Sequence, residues 1–189
     1  IDKKIFLYLN NGSSLFDDFF VFITNSTNMT LITIPVIIYL VTKHQKKNKY
    51  LILFYVFLTF ILTDFIHFHA FKEVFQRLRP CWDPEISNAC RVLVDKGGLY
   101  GFVSGHASNT VALVSIIFFT FPNLKRWFKD VLIIWAVVIC YSRIYVGKHF
   151  PLDVIFGSLL GFIIAYIVFK LFFSHFVTKQ RKNYGNQNI

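Results

Sequence analysis

Five long apolar runs constrain the fold of this chain more than any other feature of its sequence. They cover residues 25–42, 50–69, 102–121, 127–144 and 150–173. Each run approaches the roughly 20 residues that a helix needs to cross the hydrocarbon core of a bilayer. The runs therefore predict an all-α protein, a polytopic membrane helical bundle of about five spans, with six possible.

The composition agrees with a membrane protein and excludes an ordinary soluble domain. Of the 189 residues, 55% are hydrophobic and 19% are aromatic, fractions that soluble domains do not usually reach. The chain has no detectable internal repeat. Residues 1–189 are therefore predicted to form a single integral-membrane domain.

The first 24 residues predict an interfacial segment rather than a span. Their apolar run, residues 15–23, is too short to cross the bilayer. Ser14 and Asp17 have the spacing of a capping box, which marks the start of a helix. We therefore expect residues 1–24 to contain a helix that lies at the membrane interface.

Basic residues predict how the spans are oriented. The net charge is +10, and dense basic groups occur within residues 43–49, 125–129 and 179–182. With five spans these groups share one side, which the positive-inside rule makes cytoplasmic. The polar tail, residues 176–189, should then be cytoplasmic, and the connection 70–101 should face outward. Since little of the chain can form an exposed basic face, the expected counterpart is the lipid bilayer and not nucleic acid.

Two features leave alternatives open. Cys81 and Cys90 lie in the outward connection, where an oxidising compartment permits a disulfide but does not require one. Asp64 and His67 have the helical spacing of metal ligands inside the second apolar run. Hydrogen bonding near the outer boundary is the simpler interpretation of that pair.

The stretch "KEVFQRLRP" lies at the outer boundary of the second span and includes Lys72 and Arg79. Lys72 and Arg79 are seven residues apart, or about two helical turns, so one helix would present both on the same face. Pro80 disfavours helical geometry at Arg79 and is expected to end the element. Two cations on one face predict an anion-binding site.

The stretch "GFVSGHASN" comes just before the apolar part of the third span. A helix start leaves backbone N–H groups without partners and binds phosphate-like anions well. Gly105 would let such a ligand approach closely, and Ser104 adds a hydroxyl donor. His106 is then expected beside the bound anion.

The stretch "YSRIYVGKHFPLDV" joins the fourth and fifth spans. Arg143 closes one helix, and His149 and Asp153 open the next, four residues apart. At that spacing the carboxylate can accept a hydrogen bond from one ring nitrogen and leave the other free as a nucleophile or base. The pair therefore predicts a histidine with its orienting carboxylate.

These stretches together resemble the three-part signature of the type 2 phosphatidic acid phosphatase (PAP2) superfamily. Residues 72–80 fit K-x6-R-P, residues 104–106 fit the S-G-H core of P-S-G-H, and residues 142–153 fit S-R-x5-H-x3-D. Their order and internal spacings agree with the family. The departure is Val103, where the family usually has proline, so the turn that leads into Ser104 lacks a fixed φ.

The resemblance implies a metal-independent phosphatase without a cofactor, built on a PAP2/haloperoxidase-like helical core. It implies that His149 attacks phosphorus and forms a phosphohistidine, that Asp153 orients it, and that His106 is the general acid. The phosphate oxygens would be bound by five further residues. These are Lys72, Arg79, Ser104, Gly105 and Arg143.

The resemblance also implies a phosphorylated membrane lipid as substrate. Short members of this kind resemble undecaprenyl diphosphate phosphatases of the bacterial cytoplasmic membrane, with the active site facing the periplasm or the outside. Undecaprenyl diphosphate is therefore the first substrate expected. Lipid A 1-phosphatases and phosphatidylglycerophosphate or phosphatidate phosphatases share the signature and stay open.

Two rival classes make different demands on the sequence. A lipid transporter would require polar groups deep in several spans, whereas the third and fifth spans carry their ionisable groups at their ends. A non-catalytic membrane scaffold would not need His106, His149 and Asp153 together. The sequence therefore favours an enzyme, and it leaves the oligomeric state undetermined.

Overall fold

The computed structural model describes residues 1–44 and 49–173, and every named element within them is helical. Helices α1 and α2 are short and N-terminal, and α4 continues through a π-helical segment, His67–Lys72, into the single turn α5. A second π-helical segment, Phe169–Phe173, extends α8. The helices are α1 (Asp2–Asn10), α2 (Asp17–Thr24), α3 (Ser26–His44), α4 (Lys49–Ile66), α5 (Glu73–Phe75), α6 (Gly105–Thr120), α7 (Arg126–Tyr145) and α8 (Pro151–Val168).

The predicted all-α membrane bundle is confirmed, and each of the five apolar runs coincides with a helix. Within residues 1–44 and 49–173, three helical units are long and apolar enough to cross a membrane: Ser26–Lys43, Tyr50–Phe75 and Pro151–Leu171. Helix α6 is apolar but shorter. The second span ends later than expected, because the helix continues to Phe75 instead of stopping near residue 69.

Helix α6 packs most closely against α8, at two glycines of α8. A Cβ atom on Gly157 would lie 2.7 Å from the carbonyl oxygen of Ser104, and one on Gly161 would lie 2.9 Å from the amide nitrogen of Ala112. Both distances are too short for a real side chain. Small residues with this GxxxG spacing let membrane helices approach each other, so the two glycines set how close the start of α6 lies to the start of α8.

Two apolar clusters fill the interior of the bundle. The larger one joins α3, α4, α6, α7 and α8, and includes Leu40, Ile52, Ile116 and Ala165. The smaller one contains Phe6 and Phe150, whose ring centroids are 5.4 Å apart. This smaller cluster attaches helix α1 to the α7–α8 connection, where the second and third sequence motifs also meet.

The N-terminal segment is folded onto the bundle by polar contacts that local sequence does not reveal. The predicted capping box is wrong: Ser13, and not Ser14, caps a short 3₁₀ turn by accepting from the Leu15 amide at 3.4 Å. Asp17 instead accepts from Arg91 at 2.6 Å and from the Tyr145 hydroxyl at 2.7 Å. A carboxylate with two distant partners is unavailable to its own helix start.

Two further expectations concern the connection and the tail. Cys81 and Cys90 are free thiols in the structure. The predicted cytoplasmic tail, residues 176–189, lies outside the described residues. The same holds for Lys46 and Lys47 of the first basic group.

Candidate active site

His149 lies in the tight connection between α7 and α8. The carbonyl oxygen of Arg143 accepts from the backbone amides of Lys148 at 3.0 Å and of His149 at 3.2 Å. Gly147 has a φ of +81°, a conformation that glycine adopts without a steric penalty. The turn buries His149 to 3% exposure and ends where Pro151 begins α8.

The Asp153 carboxylate lies beside His149 but does not form the expected hydrogen bond with it. Its Oδ2 atom is 3.7 Å from Nδ1 of His149, which is longer than a hydrogen bond. Oδ2 accepts instead from the Phe150 amide at 2.9 Å, so the carboxylate caps the start of α8. The side chain of Asp153 is fully buried.

Three cations converge on His149 from different parts of the chain. Burial lowers the pKa of His149 well below its usual value, and the charges of Arg143, Arg79 and Lys72 lower this pKa further. The imidazole is therefore neutral at neutral pH, which is the form that can act as a nucleophile or base.

Lys72 and Arg79 do not lie on one helix, contrary to the sequence prediction. Helix α5 ends at Phe75, because Gln76 adopts the left-handed conformation with a φ of 45°. Arg79 follows in extended backbone, where its amide donates to the Leu99 carbonyl at 2.9 Å. Its Nε donates to the Tyr100 carbonyl at 3.1 Å. The two cations therefore reach the same site from a helix and from a loop.

Helix α6 begins at Gly105, as the second motif requires. Ser104 is its N-cap, and its hydroxyl accepts from the Ala107 amide at 3.4 Å. The Ser104 amide donates to the Asp153 carbonyl at 2.9 Å, which joins the second motif to the third. The face of Gly105 that was expected to admit a ligand packs on His67, whose Nε2 would lie 2.6 Å from an added Cβ.

His106 is held by the N-terminal segment, an arrangement that the sequence analysis did not predict. Its Nε2 lies 3.0 Å from the Thr24 carbonyl oxygen, which can only accept, so this nitrogen carries the hydrogen. The hydroxyl of Thr24 accepts from Arg143 Nη1 and, at 3.1 Å, from Ser142. Thr24 thus connects the second motif to the third, although no sequence pattern identified it.

Two buried nitrogen atoms in the described part of the chain have no hydrogen-bond partner within this cluster. They are Nε of Arg143 and Nδ1 of His149. Buried polar atoms are almost always paired. Nδ1 of His149 faces the Asp153 carboxylate at 3.7 Å, whereas the unpaired Nε of Arg143 lies among convergent cations and indicates a position for an anion.

Other polar groups near this cluster make structural contacts. Lys148 donates to the carbonyl oxygens of Asp95 at 2.5 Å and Lys96 at 2.8 Å, and burial lowers its pKa to about 8. Asp64 accepts from Asn109 at 3.2 Å, while His67 lies 3.3 Å from its own helix at the Thr63 carbonyl. These contacts agree with the hydrogen-bonding interpretation of Asp64 and His67.

Comparisons with known proteins agree with this geometry. The sequence model of the PAP2 superfamily matches residues 49–176. A lipid A 4'-phosphatase of Porphyromonas gingivalis is 32% identical over 177 residues, which cover 91% of this chain and 73% of the relative. An undecaprenyl-diphosphatase of Sulfolobus acidocaldarius is 38% identical over 96 residues, or 51% of this chain and 44% of the relative.

A solved structure shares the fold over most of its length. The crystal structure of LpxE from Aquifex aeolicus superposes with a TM-score of 0.64 at 25% identity, covering 88% of this chain and 93% of that one. The family match spans more than half of the chain, and the three motifs converge at one end of a membrane helical bundle. The chain therefore belongs to the PAP2 superfamily and is a membrane lipid phosphatase.

Proposed function

We propose that this phosphatase removes a phosphate group from a membrane lipid through a phosphohistidine on His149, at the outer face of a bacterial cytoplasmic membrane. The observation that carries the proposal is the burial of the His149 ring among three cationic side chains that lower its pKa. An Arg143 nitrogen of the same site is unpaired. Phosphoryl transfer depends mainly on positioning and charge neutralisation. In this site cationic side chains supply both the positioning and the charge neutralisation, and no metal ion is required.

The proposed reaction has two steps. Since Nδ1 of His149 faces Asp153, Nε2 attacks phosphorus, a nitrogen–phosphorus bond forms, and the bond from phosphorus to the leaving oxygen breaks. The negative charge of the bound phosphate favours the protonated form of His106, and since Nε2 donates to the Thr24 carbonyl, it is Nδ1 that donates a proton to that oxygen. Water then attacks the phosphohistidine, the nitrogen–phosphorus bond breaks, and inorganic phosphate leaves, with His106 taking the proton from water.

Each remaining motif residue has a role in this reaction. Asp153 stabilises the positive imidazole that forms on attack. Phosphate oxygens are bound by the remaining site residues, which are Lys72, Arg79, Arg143, Ser104 and the Gly105 backbone amide at the start of α6.

An apolar groove beside His106 supports a lipid substrate. It has a volume of about 410 Å³ and lies between α3, α4 and α6, with Ile34, Val56 and Leu113 among its lining residues. His106 lines the groove and is also in the proposed site. A lipid could thus place its phosphate at His149 while a hydrocarbon chain occupies the groove.

The proposed substrate class is a phosphorylated membrane lipid, and lipid A phosphate is the first candidate. The similarity to a lipid A 4'-phosphatase over 91% of this chain supports that choice. Undecaprenyl diphosphate, the substrate first expected from the sequence, is the second candidate. The 38% identity to an undecaprenyl-diphosphatase over about half of this chain favours it.

Phosphate release by the purified protein tests the proposal. The wild type in detergent with EDTA is incubated with lipid A, undecaprenyl diphosphate or phosphatidylglycerophosphate, beside His149→Ala. His69→Ala is the matched control, because His69 is half-exposed and pairs with Glu73 at 3.0 Å. We expect turnover of at least one lipid in EDTA, its loss in His149→Ala and its retention in His69→Ala.

Three results would contradict the proposal. Absence of turnover for every phosphorylated lipid would reject the substrate class. Full activity of His149→Ala would reject the nucleophile, and inactivation by EDTA would reject metal independence. Quenching the wild type in alkaline denaturant after incubation with ³²P-labelled substrate should also trap phosphate on histidine, in a linkage that is stable to base and labile to acid. This label should be missing from His149→Ala.

A further inference from the structure

Arg77 connects the site to the N-terminal helix by two ion pairs. Its Nη1 donates to Asp153 Oδ1 at 2.6 Å, and its Nη2 donates to Asp2 Oδ2 at 2.5 Å. Arg77 lies inside the first motif, at a position that the motif leaves unspecified. The sequence analysis therefore assigned it no role.

The pair with Asp153 differs from an ordinary surface salt bridge. The Asp153 side chain is fully buried, and that of Arg77 is 29% exposed. An exposed ion pair contributes little to folding stability, whereas removing one partner of a buried pair is strongly destabilising, because the other charge stays buried without a counter-charge. The guanidinium also lies 4.3 Å from the Phe150 ring centroid, which fixes its plane beside the residue that follows His149.

The backbone presents Arg77 and Arg79 in the same segment. The Arg77 carbonyl accepts from the Gly101 amide at 2.8 Å, and Leu78 pairs with Tyr100 as an isolated antiparallel bridge. Side chains two residues apart in extended backbone point to the same face. The segment thus presents Arg77 to the Asp153 carboxylate and Arg79 to the expected phosphate position.

The hydrogen bonds of Asp153 determine which way its carboxylate faces. Oδ1 is occupied by Arg77, and Oδ2 accepts from the Phe150 amide while lying 3.7 Å from His149 Nδ1. With both oxygens held, the carboxylate cannot rotate away from the imidazole. A small movement of either group would bring Nδ1 and Oδ2 within hydrogen-bonding distance.

We propose that Arg77 is a positioning residue, which holds the Asp153 carboxylate against His149 so that the imidazolium formed during phosphoryl transfer is stabilised. Asp2 holds the second arm of Arg77 and also accepts from the Leu152 amide at 3.1 Å. Helix α1 thereby helps to fix the start of α8. The inference rests on the proposed role of His149 as nucleophile.

A double-mutant cycle tests this role. Arg77→Met, Asp153→Asn and the double variant are assayed for kcat and KM with a lipid that the wild type turns over. If Arg77 acts through Asp153, Arg77→Met lowers kcat by roughly 10- to 100-fold with KM nearly unchanged, since a small misplacement has effects of this size. In the Asp153→Asn background the same change then has little further effect, because residues that act as a unit are non-additive.

Two variants separate positioning from a general loss of structure. Arg77→Lys keeps the charge but loses the fixed fork, so it should recover part of kcat. Arg91→Met is the matched control, because Arg91 also pairs with an aspartate, Asp17, at 2.6 Å and lies 4.8 Å from a ring, that of Tyr145. It does not contact Asp153, and kcat should be retained. If Arg77→Met lowers the melting temperature more than Arg91→Met does, the double-mutant cycle with Asp153→Asn is repeated with Arg77→Lys in place of Arg77→Met.

The outcomes distinguish this inference from the proposed function. A raised KM with unchanged kcat would mean that Arg77 binds phosphate directly and would overturn the positioning role. The positioning role would also be overturned if Arg77→Met lowered kcat by the same factor in the Asp153→Asn background as in the wild type. An equal loss of kcat in Arg91→Met would overturn it too. Absence of wild-type turnover, or full activity of His149→Ala, would instead count against the proposed function.

Discussion

At the scale of single residues, the burial of His149 has consequences for both chemistry and stability. The side chain is 4% exposed and faces Arg143, Arg79 and Lys72, with Asp153 as the neighbouring carboxylate. Protonation would add a fourth positive charge to this group. A neutral imidazole is therefore retained in the folded protein at pH values where a free histidine is charged.

This retention predicts a pH-dependent difference in stability between the wild type and His149→Asn. In the unfolded chain His149 titrates near pH 6.5, whereas in the folded protein its pKa is well below 6.5. Below pH 6.5 the unfolded state binds more protons, so the wild type loses up to about 1.4 kcal/mol of unfolding free energy per pH unit relative to the variant. Thermal unfolding in detergent at pH 7.5 and 5.5 measures this difference, and parallel pH profiles for the two proteins would contradict it.

At the scale of secondary-structure elements, the site depends on how closely α6 lies against α8. Ser104 and His106 stand at the start of α6, and Asp153 stands in the first turn of α8. Below them, Gly157 and Gly161 bring the two backbones together. The spacing of these glycines therefore controls the distance between the proposed acid and the proposed nucleophile.

Gly161→Ala is expected to destabilise the protein and lower its activity. The added methyl would lie 2.9 Å from the Ala112 amide nitrogen, and backbone of a packed helix cannot move aside as a flexible side chain can. Overpacking reduces stability by about 1–3 kcal/mol, and because the contact here is with backbone we expect the upper part of this range, above the gain of about 1 kcal/mol in helix propensity from Gly to Ala. Melting temperature and kcat should both fall. Gly98→Ala is the control, since nothing lies within 4 Å of its added Cβ, and an equal effect there would reject the explanation.

The sequence predicted the elements of this molecule better than their contacts. The apolar runs gave the five main helices, since hydrophobicity alone decides which segments can enter a bilayer. Short-range spacing likewise predicted the start of α6 and the His149–Asp153 turn. The break at Gln76 was missed, because a non-glycine residue in the left-handed conformation has no strong sequence signal. The spacing of Gly157 and Gly161 was a usable signal for the α6–α8 contact that the sequence analysis did not exploit.

At the scale of the whole molecule, the site is assembled from distant parts of the chain. Arg77 and Asp153 are 76 residues apart, and Thr24 and Arg143 are 119 apart. Such pairs could not be predicted from one sequence, since neither partner has a local pattern that requires the other. The N-terminal segment, expected only to lie at the membrane interface, supplies Asp2 and Thr24 to the residues around His149. The proposed phosphate site and the apolar groove meet at His106. The fold thus connects the proposed chemistry at one end of the bundle to an apolar surface along α3, α4 and α6.

This connection predicts that narrowing the groove will impair lipid substrates selectively. Leu113 lines the groove two turns along α6 from His106, or about 10 Å at 1.5 Å per residue. Leu113→Trp should therefore lower kcat/KM for a long-chain phospholipid by roughly tenfold or more, as expected when a buried chain loses contacts of 1–3 kcal/mol. It should leave kcat/KM for p-nitrophenyl phosphate, which has no hydrocarbon chain, nearly unchanged.

Leu159→Trp is the control, because Leu159 is 51% exposed on α8 and does not line the groove. Equal losses for both substrates would mean that the substitution disturbs the catalytic site itself, and an unchanged kcat/KM for the lipid would place the hydrocarbon chain elsewhere on the bundle.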